Sequence, residues 1–156
     1  MILLDTNVLS EFMRPAPAKE VVAWLDAQVS EQVWVCAVTR AEIELGVALM
    51  PDGQRKLGLQ QTAEAMFAEE FVGRCLSFDG PAAAFYARIV ALRTRLGRPI
   101  SVEDAQIAAI ALACGLVLAS RNERDFELID GLSVVNPWTA CRLGEGSRQG
   151  YRPDGT

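Results

Sequence analysis

Ile2-Leu3-Leu4 is an apolar run with no polar alternation, and it stops at Asp5. A strand with one wet face alternates apolar and polar side chains. A run without alternation reads as a strand buried on both faces, the kind found inside a parallel sheet. Thr6 and Asn7, both good helix starters, come next, and Val8, Leu9 and Phe12 take up helical spacing. Strand, carboxylate and helix therefore follow one another directly. In open parallel sheets, ligands bind beyond the carboxyl ends of the strands, and Asp5 stands at such an end.

The pattern recurs along the chain. Val33-Trp34-Val35-Cys36-Ala37 and Leu116-Val117-Leu118-Ala119 are further unbroken runs, and Cys75-Leu76-Ser77-Phe78 and Leu132-Ser133-Val134-Val135 are weaker ones. Helical spacing fills the gaps. One helix carries Val21, Val22, Trp24, Leu25 and Val29; a second is expected from a Thr39 cap to about Met50; a third runs from about Gln54 to Phe71. A fourth is capped by Asp79 and reaches about Leu96, and a fifth spans Val102 to Cys114 between Ser101 and a C-capping Gly115. This alternation predicts an α/β protein: a three-layer α/β/α sandwich around a mainly parallel sheet of about five strands. The 156 residues suit one domain, read as 1–141, followed by a flexible or partner-dependent tail, 142–156, rich in Gly, Arg and Ser.

Composition removes several chemistries. There is no histidine, which excludes Ser-His and Cys-His catalysis and any imidazole metal site. Cys36, Cys75, Cys114 and Cys141 are scattered without metal-site spacing and read as reduced thiols. A net charge of −5 argues against a broad nucleic-acid footprint, though not against a small active-site contact. No apolar run is long enough to span a bilayer, and no basic leader with a long apolar stretch stands at the N-terminus, so a cytoplasmic protein is expected.

The informative acids are those on faces where acids do not belong. Glu42 shares a helix face with Val38, Leu45 and Leu49, while Glu44 points away. Asp104 shares the stripe of Ile107, Ala108, Ala111 and Leu112, while Glu103 and Gln106 lie off it. Each has a plain alternative. Asp5 caps the first helix, Glu42 pairs with Arg40 or Arg88, Asp104 belongs to a loose capping box opened by Ser101, and Asn122 and Asp125 sit in an ordinary turn after the fourth strand. Gathered at one sheet edge, though, like-charged pairs at ~4 Å repel by about 4 kcal/mol at an effective dielectric of ~20. A marginally stable fold needs a cation there. Arginine is one candidate; with oxygen donors only, Mg²⁺ or Mn²⁺ is the other.

In Leu4-Asp5-Thr6-Asn7, Thr39-Arg40-Ala41-Glu42-Ile43-Glu44-Leu45-Gly46, Ser101-Val102-Glu103-Asp104-Ala105-Gln106 and Ser120-Arg121-Asn122-Glu123-Arg124-Asp125-Phe126, the chain resembles a PIN domain of the VapC/FitB toxin type over roughly residues 1 to 138. The resemblance implies a Mg²⁺-dependent endoribonuclease, with Mn²⁺ a possible substitute, acting as the toxin of a toxin–antitoxin pair. It assigns Asp5, Glu42 and Asp104 as the three core acids, with Asp5 and Asp104 the direct ligands and Glu42 holding water or acting as base. Asn122 stands where many relatives carry Asp, and Asp125-Phe126 follow, so either Asn122 or Asp125 supports the metal. Thr6, Asn7 and Ser120 are implied as hydrogen-bonding partners of the ligands. A homodimer, an RNA substrate and a small VapB-like antitoxin whose C-terminal segment fills the groove are implied as well.

Other classes fit less well. An Asp-based phosphatase needs a second Asp two residues after the first, where this chain has Asn7. A phosphoacceptor receiver module needs a lysine after its last strand, and Lys19 and Lys56 are not placed for that. A catalytically silent PIN fold used only for binding keeps its acids without using them.

Overall fold

The computed structural model describes residues 1–140. In order the elements are β1 (Ile2–Leu4), α1 (Thr6–Phe12), α2 (Lys19–Asp26), β2 (Val33–Cys36), α3 (Ala37–Ala48) and α4 (Gln54–Ala65). A π-turn, Met66–Glu70, extends α4 and leads to β3 (Cys75–Leu76), α5 (Gly80–Arg95), α6 (Val102–Cys114), β4 (Val117–Ala119) and β5 (Val134–Val135). All strands pair in parallel, in the order β3-β2-β1-β4-β5, so β1 is central.

The unbroken apolar runs have a simple cause. Successive side chains on a strand point to opposite faces, and both faces here are covered. Leu3, Cys36 and Leu118 enter one core, against α5 and α6. Leu4, Val35 and Ala119 enter the other, with Val8, Val21, Ile43, Ala63 and Phe67 from α1 to α4 and the π-turn. This is the expected three-layer sandwich. Helix ends also follow the sequence: Asp79 accepts from the Ala82 amide at 3.1 Å, and Gly115 closes α6 at φ 64°, where a Cβ is strained.

Three expectations are corrected. Helix α3 starts at Ala37, with Cys36 in the cap position, so Thr39 lies inside its first turn rather than capping it. Its core face is Thr39, Ile43 and Val47, while Leu45 and Leu49 are 58% and 76% exposed. The helix has apolar residues on two sides, and Thr39 decides between them. Its hydroxyl accepts from the Cys36 thiol at 3.5 Å and lies 3.4 Å from the Thr6 hydroxyl, so a polar side chain is accommodated in the core. Helix α6 has no single stripe: Ala105 and every residue from Ile107 to Ala111 are buried, and Leu112 is half-buried. Cys141 and the tail assigned to 142–156 lie outside the described residues.

Candidate active site

Four elements bring polar groups to the carboxyl edge of the sheet. Asp5 leaves β1 and caps α1, Ser120 leaves β4, α3 carries Glu42, and the start of α6 carries Asp104. Asp5 is 3% exposed yet ionisable. Its Oδ1 accepts from the Thr6 amide at 2.8 Å. Its Oδ2 accepts from the Ser120 hydroxyl at 2.6 Å and from Asn7 Nδ2 at 3.0 Å. Asn7 in turn accepts from the Arg121 amide at 3.1 Å, fixing its own amide, and Ser120 accepts from the Asn122 amide at 3.0 Å. Asp5 thus caps α1 through Oδ1 while Oδ2 is held by Ser120 and Asn7.

Burial pushes the Asp5 carboxyl up to about 6, against the Ser120 and Thr6 hydrogen bonds that favour its charged form; the charges of Asp104 and Glu42 push the same way. Burial also raises Asp104, opposed by Ser101; the Asp125 and Glu103 charges add to the rise, and Arg93 counters it. Asp5 therefore senses the charges of Asp104 and Glu42, and Asp104 senses that of Asp125.

Glu42 arrives by a different route than its sequence pattern implied. It lies ~60° round α3 from the buried Thr39, and its carboxylate accepts a hydrogen bond from the Thr6 hydroxyl. Neither Arg40 nor Arg88 pairs with it: Arg40 binds Glu44 at 2.7 Å, and Arg88 stacks on Phe85. Among the described residues, none of the four ion pairs touches Asp5, Glu42 or Asp104. Asp104 itself sits in the first turn of α6, its amide donating to Ser101 Oγ at 3.1 Å, so Ser101 does cap that helix start.

Asn122 and Asp125 are both exposed. The Asn122 carbonyl accepts from the Asp125 amide at 3.0 Å and opens a short 3-10 turn, Glu123–Phe126. Of the two, Asp125 brings charge to Asp104. A groove of about 530 Å³, lined by Thr6, Ile43, Val47, Met50, Arg55 and others, opens beside Glu42.

The donor chemistry fits a hard divalent cation: carboxylate oxygens, no histidine, and acids without a basic partner among the described residues. As placed, no three Asp, Glu or Cys side chains among the described residues stand close enough to form a closed cage. Mg²⁺ does not require one, since it is usually held by one or two carboxylates and keeps several waters.

Sequence reasoning missed two buried charges. Glu11 resembles a site acid by burial, but it accepts from the Ala18 amide at 2.8 Å, just ahead of α2, and pairs with Arg14. Arg93 ties down the loop that carries Asp125. Its signal was a basic residue four positions after Ile89, on the inward face of α5.

The PIN domain family model matches residues 2–132. The chain is 45% identical over 138 residues to the toxin FitB of Neisseria gonorrhoeae, covering 88% of this chain and 99% of that protein. It is 41% identical over 138 residues to the VapC ribonuclease Y4jK of Sinorhizobium fredii, covering 88% and 98%. In three dimensions it matches a chain of the FitAB complex bound to a DNA fragment with a TM-score of 0.82, at 44% identity, covering 88% of this chain and 96% of that one. The chain belongs to the PIN domain family, in its FitB and VapC branch.

Proposed function

We propose that this chain is a metal-dependent endoribonuclease and the toxin of a VapBC-type pair. One observation carries the reading. Asp5 is a buried carboxylate held by three donors, it feels Glu42 and Asp104, and no cation among the described residues neutralises it. Such an arrangement is costly in a fold with no use for it. The ribonuclease and toxin names of its relatives point the same way.

Asp5 and Asp104 would hold the metal, with Glu42 and Asp125 beside them. Bound there, Mg²⁺ or Mn²⁺ supplies charge to a phosphodiester oxygen and lowers the pKa of a water. The chain's own residues do the rest. Ser120, Asn7 and the Thr6 amide fix both Asp5 oxygens in one orientation. Thr6 also holds Glu42, placing a carboxylate to orient the attacking water and take its proton.

The partner would be a small antitoxin with a basic segment in the groove beside Glu42, suited to an acidic protein. A homodimer and a cytoplasmic setting complete the proposal; no helix among the described residues is long and apolar enough to cross a membrane. Cleavage of total cellular RNA by the purified, partner-free chain tests it. Cutting with Mg²⁺ that EDTA abolishes is expected. Folded protein that cuts nothing with Mg²⁺ or Mn²⁺ would leave a binding module.

A further inference from the structure

Arg93 is the one buried basic side chain among the described residues, 4% exposed near the end of α5. It makes none of the four ion pairs found there. Its guanidinium donates only to carbonyls: Nε to Arg98 at 2.6 Å, and Nη1 to Asp125 at 2.9 Å and Glu127 at 2.8 Å. Burying a guanidinium without a contacting carboxylate is expensive, so its position needs a reason.

The acceptors identify that reason. Arg98 lies in the turn between α5 and α6, three residues ahead of Ser101, whose hydroxyl caps α6 and places Asp104. Asp125 and Glu127 belong to the turn after β4 and to its exit, and that turn packs on α6. One planar fork thus joins the two segments that carry Asp104 and Asp125. A lysine could not do this, because an ammonium is a point charge without the fixed geometry of the fork. The Asn122 amide donates to Ser120 Oγ, and its carbonyl accepts from the Asp125 amide.

We propose that Arg93 is a positioning residue for the metal site: by locking the Asp125 carbonyl to the α5–α6 turn it aims the Asp125 carboxylate, rather than the Asn122 side chain, toward Asp104. The inference rests on the nuclease reading above. Its charge also offsets part of the repulsion among the acids.

The test is a double-mutant cycle on Mn²⁺ binding, read by calorimetry, with RNA cleavage in parallel. Arg93→Lys keeps the charge and loses the fork, Asp125→Asn removes the carboxylate, and the third variant combines them. Each single change is expected to weaken Mn²⁺ binding by about tenfold, as loss of an outer ligand partner typically does. The double variant is expected to bind no more weakly than the worse single one, because Arg93 acts through Asp125. Losses that simply multiply, or wild-type binding in Arg93→Lys, would overturn the inference while leaving the nuclease intact. Wild-type protein that neither binds Mn²⁺ nor cuts RNA would sink the nuclease reading and this one with it. Should Arg93→Lys fail to fold, Mg²⁺ titration of the wild type followed by NMR decides. The Arg93 Nε–H and the amides of 125–127 shift together with that of Asp104. Silence there, with Asp104 shifting, refutes the role.

Discussion

The Ser120 hydroxyl donates to Asp5 Oδ2 at 2.6 Å, across 115 positions of sequence, with both residues buried. Parallel pairing of β1 with β4 makes this possible, since Leu4 lies opposite Ala119 and the next residue on each strand leaves the sheet at the same edge. The bond favours the charged carboxylate. Ser120→Ala therefore raises the Asp5 pKa further above about 6, by roughly one unit for the loss of a hydrogen bond to a charged group. The acidic limb of the RNA-cleavage pH profile should move upward accordingly. A profile that stays in place would remove Ser120 from the site.

Asp5 also sets a pH dependence of stability. Its carboxyl is at about 6 in the folded chain against an ordinary 3.8, so between those values the folded state holds the proton more tightly. A group whose pKa is raised on folding loses stability as pH rises through that window, and the full penalty stands above it. Two units correspond to about 3 kcal/mol. At pH 7.5, Asp5→Asn should melt higher than wild type, by less than that full amount because an amide cannot accept all three hydrogen bonds. The difference should fade below pH 4. Thermal melts of both proteins across pH measure it. A variant that melts lower at pH 7.5 would assign Asp5 a structural role.

Much of this site was legible in sequence, for identifiable reasons. Leu3 and Leu4 face opposite cores, so the run could not alternate, and the acid ending it had to stand at the sheet's edge. Ser101, Asp79 and Gly115 act through neighbours in sequence, which local pattern reveals. The face of α3 was misread because Val38, Leu45 and Leu49 form as good a stripe as Thr39, Ile43 and Val47, and the partners that let Thr39 be buried, Thr6 and Cys36, are only seen in space. The inward place of Arg93 on α5 was legible from its spacing after Ile89, but its partners were not, because they are backbone carbonyls, two of them more than thirty residues away. A carbonyl leaves no trace in residue identity.

Glu11 and Asp5 separate structure from chemistry. Both are buried acids, but Glu11 accepts from the Ala18 amide and contacts Arg14 at 3.3 Å. Glu11→Ala should cost about 1.5–3 kcal/mol, the usual loss of a hydrogen bond to a charged group, with cleavage of RNA unchanged in the folded fraction. Denaturant melts and a cleavage assay on the same preparation read both. Loss of cleavage at full stability would place Glu11 in the site.

Glu103 and Asp104 make the matching test on α6. Glu103 is exposed, adds its charge to Asp104 and lines a groove with Glu42. Glu103→Gln should cut RNA nearly as wild type does, and Asp104→Asn should not cut. The reverse order would mean that the other side of the helix faces the metal.

Mn²⁺ binding by partner-free protein, wild type against Asp5→Asn, bears most directly on the acids as a metal site. The wild type should take up Mn²⁺ and Asp5→Asn, folded and at least as stable at pH 7.5, should lose most of that binding. Equal binding by the two proteins would contradict the account, because the metal would then lie somewhere other than at the end of β1.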